Sequence, residues 1–145
     1  MRRIRIILLL VIICGLGSVL FVSQRNVATA NSSGSCKIRN FQAQVRHGPT
    51  QGMLLTGTLT LSADYLGVIT GSLSSKDIYI KVSGTVNGYA LNLAFDLGYS
   101  GRTQTYIFGT GTLSHAFPDC SGLSGGLLQG PQKGDSGDWS VSDGA

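Results

Sequence analysis

Between residues 39 and 113 the chain alternates apolar and polar side chains in short runs, each closed by a cluster of Gly, Pro, Asn, Asp or Ser. A period of two is the signature of a strand with one buried face. The clearest case is 78–97. Ile78, Ile80, Val82, Gly84 and Val86 lead to Asn87-Gly88, and Tyr89, Leu91, Leu93, Phe95 and Leu97 follow. Asn-Gly is the dipeptide best suited to a two-residue type I′ turn. That turn places Val86 opposite Tyr89, Gly84 opposite Leu91, Val82 opposite Leu93 and Ile80 opposite Phe95, all on one apolar face.

The same alternation predicts strands at 39–46, 53–61, 68–73 and 103–113, with weaker ones at 122–129 and 138–141. None of these segments has helical periodicity beyond a turn or two. Gly57-Thr-Leu, Gly71-Ser-Leu, Gly84-Thr-Val and Gly111-Thr-Leu repeat one triplet at steps of 14, 13 and 27 residues. Near-equal steps describe a meander of hairpins. The simplest registers set Gly57 against Leu73 and Gly71 against Leu59. A glycine facing a bulky residue lets a sheet coil and close. The expected fold is all-β: a small up-and-down antiparallel barrel of seven or eight strands, with a β-sandwich as the alternative. The inward set is aliphatic or aromatic: Leu55, Leu59, Leu61, Ile69, Leu73, Ile78, Ile80, Val82, Val86, Leu91, Leu93, Phe95, Leu97, Ile107 and Leu113. Such an interior is either packed with side chains or holds an apolar ligand.

Domain organisation follows from the two ends. Arg2, Arg3 and Arg5 precede an apolar run, Ile6 to Val22, and Ala28-Thr-Ala30 is a small-x-small cleavage pattern. Residues 1–30 therefore read as a signal peptide, or as an uncleaved anchor that leaves the domain outside. Both readings export residues 31–145 as a single β-domain, secreted or otherwise extracytoplasmic, in which 130–145 is a Gly/Asp-rich tail.

Charge and cysteines refine this. The formal net charge is +4, but four arginines lie before residue 31, and the seven cations after it are matched by seven aspartates. The exported part is neutral overall, so no nucleic-acid partner is expected. Cys36 and Cys120 are the two cysteines beyond the leader, and an exported chain is expected to join them as a disulfide.

No acid–base or nucleophile set emerges, and no catalytic, cofactor or metal residue is assigned. Gly134-Asp-Ser-Gly137 resembles the nucleophile motif of trypsin-like serine proteases. Asp138-Trp139 follows where that family has Gly-Pro, nine residues remain after Ser136, and His47 and His115 stand in no matching context. Asp135, Asp138 and Asp143 lack the spacing of a calcium loop. Candidate contacts for a ligand or partner are Tyr79, Tyr106 and Phe108, all on the presumed outer face, and Trp139. Cross-strand aromatic packing explains the first three equally well, and anchoring of the tail explains Trp139.

The Gly-Thr-Leu meander over 55–113 resembles avidin-like and lipocalin-like barrels in architecture. Both groups carry Gly-x-Trp near their first strand, whereas Trp139 is the lone tryptophan here, so no ligand residue is carried over. The block from Gly109 through Cys120 to Trp139 resembles uncharacterised exported bacterial Gly-rich β-domains. The expectation is a non-enzymatic exported barrel that binds a protein partner or a small apolar ligand, without a cofactor. The alternative is a structural or interaction module tethered at the outer face of the membrane through its leader.

Overall fold

The computed structural model describes residues 33–142. The leader, its cleavage pattern at Ala30 and Asp143 lie outside the described residues. Eight strands follow in chain order: β1 (Gly34–His47), β2 (Leu54–Ala63), β3 (Val68–Ser74), β4 (Tyr79–Asn87), β5 (Ala90–Ser100), β6 (Thr103–Thr112), β7 (Gly126–Gln129) and β8 (Ser136–Val141). Each pairs with its neighbour, and β8 pairs with β1, so the sheet is a closed up-and-down antiparallel barrel. The sandwich alternative is thereby set aside. Closure removes the exposed edges that an eight-strand meander would otherwise carry.

β1 is long enough to serve both ends of the chain because it is bent. A bulge between Ile38 and Phe41, with Asn40 at φ +54°, and a second between Val45 and His47 turn the strand between β2 and β8. Bulges increase local twist, which a small barrel needs. Within the Gly/Asp-rich segment that begins at 130, Ser136–Val141 is the closing strand, with Ala43 opposite Trp139 and Val45 opposite Gly137.

Alternation correctly separates inside from outside, but the hairpin registers differ by two residues. Val86 lies opposite Leu91, Gly84 opposite Leu93 and Val82 opposite Phe95. The loop residues are Gly88 and Tyr89, and of the two only Gly88 takes positive φ, at +59°. That pattern suits a turn with glycine at its first central position rather than a type I′ turn. Tyr89 accordingly moves out to the tip. Ile78, also expected inside, precedes β4 and is 50% exposed. Gly71 likewise faces Leu61 rather than Leu59, and Gly57 faces Phe41 rather than Leu73. A shift of two preserves the face of every residue, so the other expected inward residues keep their places. All are buried except Leu97, which packs half-buried against the core.

The interior is packed. Phe41 lies between Phe95 and Trp139, with ring centroids at 5.3 Å and 5.4 Å. Trp139 is only 3% exposed and donates its indole N–H to the Thr110 carbonyl at 2.7 Å. Its ring lies against Gly109 and Gly111 of β6, and a Cβ at Gly111 would collide with it. The glycine of the fourth triplet, Gly111, therefore makes room for Trp139, far from it in sequence, a pairing invisible to strand-by-strand reading.

The two ends of the barrel differ. The chain enters at the end that carries the β2–β3, β4–β5 and β6–β7 connections. The long β6–β7 connection, 113–125, stoppers that end by burying Leu113, Phe117, Cys120 and Leu123 against the core. Cys36 and Cys120 are joined in a disulfide, tying the stopper to β1.

At the opposite end Asp135 acts as a clasp. It is 5% exposed and accepts hydrogen bonds from the Thr50 N–H (2.9 Å), the Thr50 hydroxyl (2.7 Å) and the Gln132 N–H (2.8 Å). These join the β1–β2 turn to the β7–β8 loop. Burial alone would raise its pKa, but the Thr50 and Gln132 hydrogen bonds outweigh it and hold the carboxyl below its ordinary value. A carboxyl whose pKa is lowered on folding stabilises the fold above its unfolded pKa. That contribution fades as pH falls through the ordinary carboxylate range toward the folded value. Asp119, held low by the Ser121 hydroxyl and N–H, acts in the same sense. Asp135→Asn is expected to flatten the dependence of Tm on pH between neutrality and pH ~3. A slope equal to that of the natural protein would show the clasp to be inert.

Candidate functional site

An extended concave surface lies outside the barrel, over β3–β6, around a bulge in β5. There the β5–β6 register slips between Asp96 and Gly98, and Gly98 has φ +82°. The Asp96 carboxylate holds the bulge by accepting the Gly98 N–H and the Gln104 side-chain N–H, both at 2.8 Å. Bulges at barrel rims redirect side chains and recur beside binding sites.

Three shallow clefts meet at this bulge. One, of about 290 Å³, sits at the clasped end between Met53, Leu97, Tyr99 and Pro131. The next, of about 540 Å³, lies between Ile78, Tyr79, Ile80, Lys81, Asp96 and Leu97. The third, of about 430 Å³, continues down the wall between Thr70, Tyr79, Lys81, Ser83, Asp96 and Tyr106. Leu97 and Gly98 join the first two, while Tyr79, Lys81 and Asp96 join the second and third. The result is a groove with mixed apolar, aromatic and polar walls that carries one cation, Lys81, and two carboxylates, Asp77 and Asp96. Lys81 lies opposite Asp96 in register, yet makes no ion pair among the described residues.

Of the sequence-selected contacts, Tyr79 and Tyr106 line the same cleft, and Phe108 extends it by packing on Tyr106 with ring centroids at 6.0 Å. All three side chains are on the outer wall, as alternation requires. Trp139 is not with them; its ring is inside the barrel and it presents no surface to a partner. Tyr99, the β5 bulge and a contact role for Leu97, which alternation places inward, are not indicated by the sequence. Asp96-Leu-Gly98 reads as the close of a strand, and only the extra residue in β5 turns it into a rim.

A separate cleft, of about 380 Å³, opens beside the Asn40 bulge between uncharged side chains, including Gln42, Thr56, Thr58, Ser74 and Ser75. Among the described residues no three His, Cys, Asp or Glu side chains come together as a metal site. His47 does find Ser136: the two are cross-strand partners of β1 and β8. Their side chains share no hydrogen bond, and the neighbouring Asp135 carboxylate is turned to Thr50 and Gln132. His115 lies beside Asp119 at 3.9 Å, in an exposed pair.

The class of protein this defines is a closed, side-chain-filled, eight-stranded up-and-down barrel with a rim groove. Comparison with family models, with curated proteins and with solved structures gives no match.

Proposed function

We propose that this is a non-enzymatic exported barrel that binds its partner on the outer wall, in the groove around the β5 bulge, rather than carrying a ligand in its lumen. The observation that carries this reading is the Phe41, Phe95 and Trp139 packing across the interior. A carrier of this strand number keeps its interior open; here aromatic rings occupy it. The groove offers what a binding surface needs: apolar floor from Leu97 and Ile80, tyrosines at 79 and 106, and a single cation at Lys81. Tyrosine supplies large contact area at low entropic cost. An extended protein segment or a small apolar molecule is the occupant this chemistry suits.

Protein purified from its own host is expected to fly in native mass spectrometry at the mass of its chain alone. A bound small molecule released only on unfolding would instead favour a carrier. A photo-crosslinking residue at Tyr106 is expected to capture a partner in the host, and one at Thr85 on the outer face of the same sheet is not. Equal capture at both, or at neither, would count against the groove.

A second reading, the membrane-tethered module, is supported by the side chains at the stoppered end. Apolar loop tips cluster where the chain enters the barrel.

A further inference from the structure

At the stoppered end two hairpin tips project apolar side chains into solvent. The β2–β3 tip carries Tyr65, 75% exposed, and Leu66, 67% exposed; the β4–β5 tip carries Tyr89, 57% exposed. The tips form one continuous rim. The Val86 N–H bonds the Gly67 carbonyl at 2.8 Å, and the Leu113 N–H bonds the Tyr89 carbonyl at 2.8 Å, linking the hairpins to each other and to the stopper. The acids nearby, Asp64 and Asp119, are exposed but held in local hydrogen bonds. Asp64 accepts the N–H groups of Leu66 and Val68, each at 2.9 Å, and Asp119 accepts from Ser121.

We propose that this rim, Tyr65, Leu66 and Tyr89, rests in the interface of the lipid bilayer and holds the barrel upright with the groove end outward. The inference rests on the tethered reading. Two observations select a membrane over other occupants. First, the chain enters at this end, and 11 residues, 23–33, separate the apolar run ending at Val22 from the start of β1. Even fully extended they span at most about 36–40 Å, so an anchored leader holds the barrel close to the lipid and joins it at this end. Second, the chemistry of the ends differs. Tyrosines with a neighbouring aliphatic suit the headgroup boundary, where the ring is buried and the hydroxyl stays wet. The opposite end also exposes Tyr79 and Tyr99 but sets them among Lys76, Asp77, Arg102 and Lys133, which a bilayer would have to desolvate.

The test uses the full chain with Cys14→Ser, reconstituted in phosphatidylethanolamine–phosphatidylglycerol vesicles. An environment-sensitive fluorophore is attached at Leu66→Cys or, as control, at Arg102→Cys. The expected result is that the chain floats with the vesicles. The label at 66 shifts to the blue, loses iodide quenching and is quenched by nitroxide-bearing lipid, while the label at 102 behaves as in water. If the chain floats but both labels read water, the rim proposal is wrong and the tether stands. A label at 66 shielded from iodide yet untouched by lipid nitroxide means that a second copy or another protein covers the rim, which also overturns it. A chain that does not float defeats the tethered reading and the rim proposal with it.

Discussion

Replacing Cys36 with serine is expected to lower the free energy of unfolding by about 4.5 kcal/mol, the loss of loop-closure entropy for cysteines 84 residues apart in the chain-entropy model. For a domain whose whole stability falls in the usual range of about 5–15 kcal/mol, such a loss is severe. The bridge ties β1, the strand that pairs with both β2 and β8, to the connection that stoppers the barrel. Without it the burial of Phe117 and Leu123 is supported by packing and by a few hydrogen bonds, those of Leu113 to Tyr89 and of Thr112 to Ser124 among them. The stopper is therefore expected to detach before the sheet opens. Urea unfolding of the variant, followed by circular dichroism under non-reducing conditions, measures the effect. Hydrogen exchange at Leu113 and Leu123 reads the local detachment. An unchanged unfolding midpoint would mean that the bridge contributes nothing to the fold.

The second large effect is expected at Trp139. Trp139→Ala removes the ring that fills the space against Gly109 and Gly111 and leaves the Thr110 carbonyl without its indole donor. Large-to-small substitution of a buried aromatic costs about 3–5 kcal/mol, with the upper end where surroundings cannot collapse. Here they cannot collapse easily, because the facing positions are glycines and the barrel wall is hydrogen-bonded on both sides. Trp139→Phe is expected to lose less, retaining the stack on Phe41 but not the hydrogen bond. The alanine variant should also gain affinity for small apolar molecules, since an apolar void of this kind stays dry and accepts them. Equal stability of the alanine variant and the natural protein in urea would show that the ring does not hold β8 to the core.

The reach of the sequence can be judged from these same residues. Period-two alternation marked Val82, Val86, Leu91, Leu93 and Phe95 as inward because the face of a strand residue depends on parity alone. It misjudged their cross-strand partners because Asn87-Gly88 accommodates more than one two-residue turn. The turn that forms is centred on Gly88 and Tyr89, with Asn87 opposite Ala90. Asp135 reads as a solvated acid in a Gly-rich tail. Its burial depends on Thr50 and Gln132, brought to it by barrel closure from a loop 85 residues away and from its own. Trp139 was correctly expected to pack, but its place in the centre could not be read from the tail, since the glycines that admit it lie on β6. For the site, Tyr79, Tyr106 and Phe108 followed from alternation. The groove did not, because the bulge that creates it is a single extra residue in β5 and leaves no mark on composition.

The account turns on an interior that is full. The measurement that meets this most directly is a nuclear Overhauser spectrum of the labelled protein in solution. Cross-peaks are predicted from the Trp139 indole ring to the Phe41 ring protons and to the α-protons of Gly109 and Gly111, together with cross-peaks between the Phe41 and Phe95 rings. Absence of these, with the Trp139 ring in contact instead with water or with a bound small molecule, would contradict a filled barrel and return the lumen to the list of binding sites.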